Sequence, residues 1–205
     1  MGTELGIDEA GRGSILGPLV MAGVLVEKSD EEMLKSWGVA DSKLFGSQKK
    51  GKALRRQLAQ KICEHCQHEI LNLSSQKVDF FVQNFSLNIL EQQTALKIVS
   101  RLPANGVILD GETLFSPILN SYVQGVDRAD RSYVSVAAAS ILAKDKRDSM
   151  FEELCQEYKK EFGEIKGGGY ANKNTLEFVK WFQATKGSLP PFYRRSYRWK
   201  YLDQA

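Results

Sequence analysis

Two acidic residues follow a short apolar segment at the start of the chain. Residues 5–7 (Leu-Gly-Ile) predict the end of a buried strand, and Asp8 and Glu9 come directly after it. Chemistry is expected at the carboxyl edge of a sheet, where such side chains gather. Because neighbouring strand residues point to opposite faces, both acids can serve one metal ion only if the chain turns here or Glu9 contributes its backbone carbonyl.

Two glycines flank an arginine immediately after these acids. Gly11 and Gly13 can adopt positive φ and leave their N–H groups uncovered, which lets a sugar or a phosphate approach closely. Arg12 adds a guanidinium that stays charged. The alternative is an ordinary acidic turn whose arginine is solvated.

A second apolar segment, residues 106–109, also ends in an acid, Asp110, and is followed by Gly111. Asp8 and Asp110 meet only if their strands are neighbours in one sheet, which is the arrangement we expect. An Asp-Gly turn without further function is the alternative. Downstream, Asp127 and Asp130 precede an alanine-rich helix, whose thin face would let its backbone lie close to the sheet.

The motif Asp-Glu-Ala-Gly-Arg-Gly at residues 8–13 resembles the opening of the ribonuclease HII family. Further blocks follow in the family's order through nearly the whole chain. They are Asp-Ser-Lys at 41–43, Leu-Asp-Gly at 109–111, Arg-Ala-Asp at 128–130, Ser-Val-Ala-Ala-Ala-Ser-Ile-Leu-Ala-Lys at 135–144, Arg-Asp at 147–148 and Gly-Tyr at 169–170. The resemblance implies an α/β ribonuclease H-like fold, with a central mixed β-sheet flanked by helices and a small helical C-terminal part.

This resemblance divides the chain and assigns its site. We predict a catalytic domain over residues 1–165 and a basic, aromatic helical segment over residues 166–205. The predicted catalytic and metal-binding residues are Asp8, Glu9, Asp110 and Asp130, with Asp130 preferred to Asp127. The predicted substrate-binding residues are Gly11, Arg12, Gly13, Lys43 and Tyr170; for Lys43, a surface lysine in a polar loop is the alternative.

Four carboxylates at one site repel each other unless cations neutralise them. An all-oxygen ligand set suits Mg²⁺ or Mn²⁺ rather than zinc, so we predict two such ions on either side of the scissile phosphate. The resemblance implies endonucleolytic cleavage of the RNA strand of RNA/DNA hybrids and of duplex DNA on the 5′ side of a single embedded ribonucleotide. The ends would be a 3′-hydroxyl and a 5′-phosphate.

Two other functions compete with this one. The first is a type 3 ribonuclease H acting mainly on hybrids, against which stand Arg12, where that family favours Lys, and Tyr170. The second is a catalytically silent nucleic-acid-binding module, which would lack one of the four acids. A structural role in a larger complex is left open, although we expect a monomer.

Charge is unevenly distributed over the 205 residues, whose net charge is +3. Residues 170–205 carry seven Lys and Arg against two Asp and Glu. Within them, residues 188–201 interleave basic and aromatic side chains, which suits a nucleic acid, or else a segment docked by its aromatics with its arginines in water. No apolar segment approaches the length of a membrane helix, and an odd number of cysteines fits a reducing compartment, so we expect a cytoplasmic protein without membrane contact.

Three smaller patterns leave alternatives open. Residues 63–68 hold two cysteines and two histidines, a possible zinc site, although we favour a helix end because a second ligand pair is missing. Asp148 is either a further acid near the site or, as we slightly prefer, a surface partner of Arg147. Residues 167–169, three glycines, predict a flexible hinge before Tyr170.

Overall fold

The structure is a computed structural model that describes residues 2–39, 49–197 and 199. It divides into two compact units. The first unit comprises Met1–Ala10, Val20–Leu71 and Asn88–Lys146, and the second comprises Gly11–Leu19, Asn72–Leu87 and Arg147–Ala205. The division of the chain at residue 165 stays a prediction.

The first unit is built on a mixed five-stranded sheet, as predicted. Its strands are β1 (Thr3–Ala10), β2 (Leu19–Glu27), β3 (Gln67–Leu73), β4 (Gly106–Asp110) and β5 (Val123–Val126). Their order across the sheet is β3-β2-β1-β4-β5. β1 is antiparallel to β2, whereas β4 is parallel to both β1 and β5. The strands that carry Asp8 and Asp110, β1 and β4, are therefore neighbours, as expected.

Seven α-helices accompany these strands in the part of the chain that is described. They are α1 (Glu31–Ser36), α2 (Lys49–His65), α3 (Ser75–Asn84), α4 (Leu87–Arg101), α5 (Glu112–Phe115), α6 (Val134–Tyr158) and α7 (Lys173–Lys186). Short 3-10 turns lie at Ser116–Ile118, Ala129–Arg131 and Gly167–Gly169. Side-chain caps set two of the helix starts, since Ser74 accepts from Lys77 N–H before α3 and Asn172 accepts from Thr175 N–H before α7.

Both faces of β1 are covered by helices. Leu5 and Ile7 pack on one face with Ala95 and Ile98 of α4. Gly6 points to the other face, where a Cβ atom would lie 2.1 Å from the backbone carbon of Ser135. The start of α6 therefore rests directly on the strand. Its alanines make this close approach possible, because they bury a thin face with at most 2% exposure; they are Ala137, Ala138, Ala139 and Ala143.

The second unit has an aromatic core. Rings from the end of α6, from α7 and from the C-terminal segment pack together, and Phe178 stacks on Phe192 with their centroids 6.1 Å apart. A β-bridge joins Leu16 to Tyr193. The C-terminal segment is thus docked by its aromatic side chains, but one expectation about it is wrong: Arg194 is not in water, since its exposure is 0%.

Candidate active site

Asp8 and Asp110 lie side by side at the carboxyl end of the sheet. Ile7 pairs with Leu109 in the parallel register of β1 and β4, and each acid is the next residue of its strand. Asp8 is buried, with 7% exposure, and Asp110 is half-buried. Two apolar strand segments, each followed by an acid, thus bring their carboxylates to one edge because the strands are adjacent.

The chain does not turn at Asp8 and Glu9. β1 continues through Ala10, and Glu9 pairs with Met21 of β2 in the antiparallel register. In an extended strand the two Cβ atoms project from opposite faces, so the turn that would have aimed both side chains at one ion is absent. In this extended strand, a contribution of Glu9 through its backbone carbonyl needs no turn of the chain.

Asp130 joins these acids through the turn before α6. Ala129 N–H donates to Asp110 Oδ1 over 2.8 Å, which ties the turn to the end of β4. Asp130, the next residue, is buried with 7% exposure. Asp127 is exposed and accepts instead from Glu112 N–H over 3.0 Å, at the start of α5. Of the two neighbouring acids, Asp130 is the one beside Asp8 and Asp110.

The three aspartates form one electrostatic cluster. The pKa of Asp8 is raised to about 7, first by burial and then by the charge of Asp110, with a smaller contribution from Asp130. Hydrogen bonds from the Ser140 hydroxyl and from Glu9 N–H, which is 2.7 Å from Asp8 Oδ1, act in the opposite direction. Ionisation of Asp8 in the folded protein is therefore unfavourable in free energy unless a cation binds beside it.

Ser140 is a site residue that the sequence analysis did not identify. The backbone nitrogen of Val136 lies over Gly6 of β1. One helical turn later, Ser140 reaches Asp8, which lies two residues further along the strand. A signal was present in the sequence, because Ser140 is a polar residue within an alanine-rich, apolar segment.

The chemistry of this cluster fits a hard divalent cation. The side chains offer only oxygen ligands, and a cation would offset both the burial and the neighbouring negative charges that raise the pKa of Asp8. Over residues 2–39 and 49–197, however, no three side chains of His, Cys, Asp or Glu are grouped closely enough to hold an ion by themselves. Asp8, Asp110 and Asp130 would therefore share an ion with substrate or water oxygens, as Mg²⁺ sites commonly do.

The raised pKa of Asp8 gives a pH dependence of stability with a definite sign. Between about pH 4 and 7 the folded protein keeps a proton that the unfolded chain has released, so in chelator stability falls as pH rises, by up to about 1.4 kcal/mol per pH unit. Asp8→Asn removes this contribution. Urea unfolding at pH 4.5, 6 and 7.5 should show that the free energy of unfolding of Asp8→Asn increases relative to that of the wild type as pH rises. A difference between the two proteins that does not change with pH would contradict the raised pKa of Asp8.

The predicted substrate-binding residues of the second unit begin with a tight turn. Gly11 has φ +89°, and its carbonyl accepts from Ser14 N–H over 3.2 Å and from Ser14 Oγ over 2.8 Å. Arg12 and Gly13 are exposed beyond it. A Cβ atom on Gly13 would lie 3.8 Å from Cε1 of Tyr170, so the structure brings these two predicted residues together. Lys43 lies outside the described residues.

The glycine segment before Tyr170 is held in place rather than acting as a free hinge. Gly169 carbonyl accepts from the N–H groups of Ile15 and Leu16, over 2.8 and 3.0 Å. Gly167, Gly168 and Gly169 all have positive φ, which explains the three glycines. The segment is therefore fastened to the loop that continues from Gly11.

Two buried arginines support this loop, and sequence analysis missed both roles. Arg194 donates to the carbonyls of Gly17 and Arg12 over 3.1 and 2.9 Å, and burial lowers its pKa. Tyr197 OH also donates to Arg12 carbonyl, over 2.7 Å. Asp148 is the partner of Arg147, as preferred, with Oδ1 3.5 Å from Nη1, but the pair is not on the surface because Arg147 is fully buried.

The cysteines and histidines of residues 63–68 lie where α2 ends, at His65. His65 and His68 each use Nδ1 at a backbone carbonyl, that of Lys61 and that of Cys66. Burial raises the pKa of Cys66 to about 11, which keeps its thiol protonated. The helix-end interpretation holds.

No helix among the described residues is long and apolar enough to cross a membrane.

Solved structures identify the class of protein. The chain superposes on ribonuclease H2 from Pyrococcus horikoshii with a TM-score of 0.81 and 27% identity, over 98% of this chain and 96% of the other. It superposes on a PCNA:RNase HII complex from Archaeoglobus fulgidus with a TM-score of 0.78 and 34% identity, over 99% and 100% of the two chains. The fold is therefore ribonuclease H-like, as the sequence predicted.

The family follows from the sequence comparisons. Residues 5–200 match the family model of ribonuclease HII. Ribonuclease HII of Thermococcus sibiricus is 36% identical over 214 residues, which cover 97% of this chain and 89% of the relative. The chain therefore belongs to the ribonuclease HII family, whose members are metal-dependent ribonucleases acting on nucleic acids. This confirms the resemblance seen in the sequence.

Proposed function

We propose that the protein is an endoribonuclease that cuts the RNA strand of RNA/DNA hybrids and also cuts duplex DNA on the 5′ side of a single embedded ribonucleotide. The products would be a 3′-hydroxyl and a 5′-phosphate. The observation that carries this proposal is the electrostatic cluster of Asp8, Asp110 and Asp130 at the ends of adjacent strands. Membership of the ribonuclease HII family supports it.

Asp8, Asp110 and Asp130 would hold the divalent cations, with Glu9 contributing through its backbone carbonyl. When bound, two ions of Mg²⁺ or Mn²⁺ supply the positive charge that hydrolysis of a phosphodiester requires. Ser140 and Glu9 N–H orient Asp8 and favour its ionised form, in which a carboxylate binds a cation. The hydrogen bond from Ala129 N–H orients the Asp110 carboxylate. No side chain needs to act as a nucleophile.

Substrate recognition is assigned to the loop that directly follows β1. The 2′-hydroxyl both donates and accepts hydrogen bonds, and backbone groups of Gly11, Arg12 and Gly13 can reach it where larger side chains would block approach. Arg194 and Tyr197 hold the Arg12 carbonyl, so the loop is ordered before substrate binds. Tyr170, beside Gly13 and 38% exposed, would stack at the junction between ribonucleotide and deoxyribonucleotide. Lys43 is kept as a proposed phosphate contact.

The proposal is tested by cleavage of an end-labelled DNA duplex that contains one ribonucleotide, with Mg²⁺, Mn²⁺ or chelator. We expect one cut, on the 5′ side of the ribonucleotide, that depends on the cation. Cleavage of a continuous RNA/DNA hybrid alone would favour the hybrid-specific activity of a type 3 enzyme. Binding without cleavage of either substrate would favour a silent nucleic-acid-binding module.

Tyr170→Ala is expected to reduce cleavage at a single ribonucleotide by at least about tenfold more than cleavage of a long hybrid, since stacking on a base or sugar contributes about 1–3 kcal/mol. A long hybrid offers many registers and depends less on one junction. Initial rates on the two substrates give the ratio. Tyr170→Phe, which keeps the ring, serves as the matched control and should retain most of the selectivity. Equal losses on both substrates would refute the role of Tyr170.

We propose a monomer as the active form, to be checked by light scattering. The Archaeoglobus fulgidus relative has been solved in a complex with PCNA.

A further inference from the structure

Arg147 is a fully buried arginine, with 0% exposure, in the second half of α6. Its Nη2 donates to the carbonyls of Leu16, over 3.3 Å, and of Gly168. These two carbonyls belong to the two segments that carry the predicted substrate-binding residues of this unit, the loop from Gly11 and the glycine segment before Tyr170. A single guanidinium therefore joins both segments.

Three glycines leave the space that this side chain occupies. A Cβ atom would lie 3.1 Å from Arg147 Nε at Gly11, 3.1 Å from Nη1 at Gly168 and 4.0 Å from Nη2 at Gly17. All three glycines also have positive φ. The backbone thus closes around the guanidinium from several directions, which leaves little room for it to move relative to either segment.

The guanidinium also lies against two aromatic rings. Its Cζ is 5.0 Å from the ring centroid of Phe151 and 5.4 Å from that of Tyr170, within the range of cation–π contacts. Phe151 is buried in the aromatic core, whereas Tyr170 remains 38% exposed. Arg147 therefore contacts both the buried ring of Phe151 and the partly exposed ring of Tyr170, which we expect to face substrate.

We propose that Arg147 is a positioning residue for selectivity: it holds the Tyr170 ring against the Gly11–Gly13 turn and thereby sets the preference for a single embedded ribonucleotide over a continuous hybrid. This inference rests on the proposed function of the site. Arg147 is too deeply buried to contact substrate itself, so it acts through Tyr170. Its planar fork makes two carbonyl contacts while its face covers a ring, a combination that lysine does not reproduce.

A double-mutant cycle of Arg147→Lys and Tyr170→Ala tests the proposal. Rates are measured for wild type, both single variants and the double variant on the single-ribonucleotide duplex and on a long hybrid. We expect Arg147→Lys to lower the ratio of the two rates by about tenfold, as an oriented ring contact is lost. In the Tyr170→Ala background the same substitution should change that ratio by less than about twofold, because the residue through which it acts is gone.

Other outcomes overturn the inference. Equal losses on both substrates from Arg147→Lys, or the same change of ratio with and without Tyr170, would leave Arg147 a purely structural residue. Failure of the wild type to cut the single-ribonucleotide duplex would instead remove the proposed function. The two failures are thus distinguishable.

Glycine variants address the case in which Arg147→Lys does not fold. Gly168→Ala places a Cβ atom 3.1 Å from Nη1 and in ordinary contact with the Tyr170 ring, 3.8 Å from Cδ2, so it presses on the guanidinium without removing it. Gly187→Ala is a matched control, since its φ of +71° imposes similar backbone strain, and its Cβ atom would have nothing within 4 Å. We expect the ratio to fall with Gly168→Ala only. An unchanged ratio in a folded Gly168→Ala protein contradicts the proposal.

Discussion

Asp130→Asn should reduce the rate of cleavage by at least about a thousandfold, whereas Asp127→Asn should leave it within about twofold of the wild type. Both acids lie in the segment between β5 and α6, but only Asp130 is buried and acts on the pKa of Asp8. Loss of its charge would weaken cation binding and transition-state stabilisation by about 4 kcal/mol, and each 1.4 kcal/mol is a factor of ten. Asp127 is exposed, and asparagine can still accept from Glu112 N–H.

The measurement is the initial rate on the single-ribonucleotide duplex at saturating Mg²⁺ for both variants. Asparagine has nearly the shape of aspartate, so the comparison isolates charge from packing. Thermal melting of both proteins verifies the fold. Comparable rates for Asp130→Asn and wild type would remove Asp130 from the site, and a large loss in Asp127→Asn would show that the register of this turn had been misassigned.

Much of the site was predictable because it depends on local patterns. A short apolar strand followed by an acid occurs twice, at Asp8 and at Asp110, and the sheet places these strands side by side in parallel. The alanine-rich start of α6 likewise indicated a helix lying close to the sheet, which Gly6 permits. Such features follow from the period of a strand or the size of a side chain.

The extent of β1 was less predictable. The glycines at 11 and 13 suggested that the chain turned at the acids, yet pairing with β2 extends the strand through Ala10. Cross-strand partners at residues 20–22 supply the hydrogen bonds that carry the strand past Ile7. A partner ten or more residues away decides where a strand ends, so local sequence alone left the arrangement of Glu9 open.

The buried arginines could not be inferred from sequence. An arginine in a polar, aromatic segment is normally solvated, and Arg194 becomes buried because backbone carbonyls 177 and 182 residues away accept its hydrogen bonds. Arg147 similarly satisfies carbonyls from two separate segments. These acceptors come together only in the folded chain. Charge patterning does not take them into account, so it predicted arginines in contact with water.

The packing of α6 on β1 leads to the second large effect, on stability. Gly6→Ala would place a Cβ atom 2.1 Å from the backbone carbon of Ser135 and 2.2 Å from Val136 nitrogen. These are backbone atoms in the first turn of a long helix, so no side chain can rotate away and the helix itself must shift. We expect a loss of at least about 3 kcal/mol, at or above the upper end of ordinary overpacking. For a chain of this size that is a fall in Tm of about 6–12 °C.

Gly106→Ala provides the matched control in the same sheet. Gly106 begins β4 and pairs with Glu4 of β1, but a Cβ atom there would have nothing within 4 Å. Its stability should therefore change by less than about 1 kcal/mol, since alanine suits a strand at least as well as glycine. Melting curves of both variants are the measurement. Similar Tm values would mean that the packing of α6 on β1 does not require a glycine at position 6. A folded Gly6→Ala protein should also cut more slowly, because a displaced α6 carries Ser140 away from Asp8.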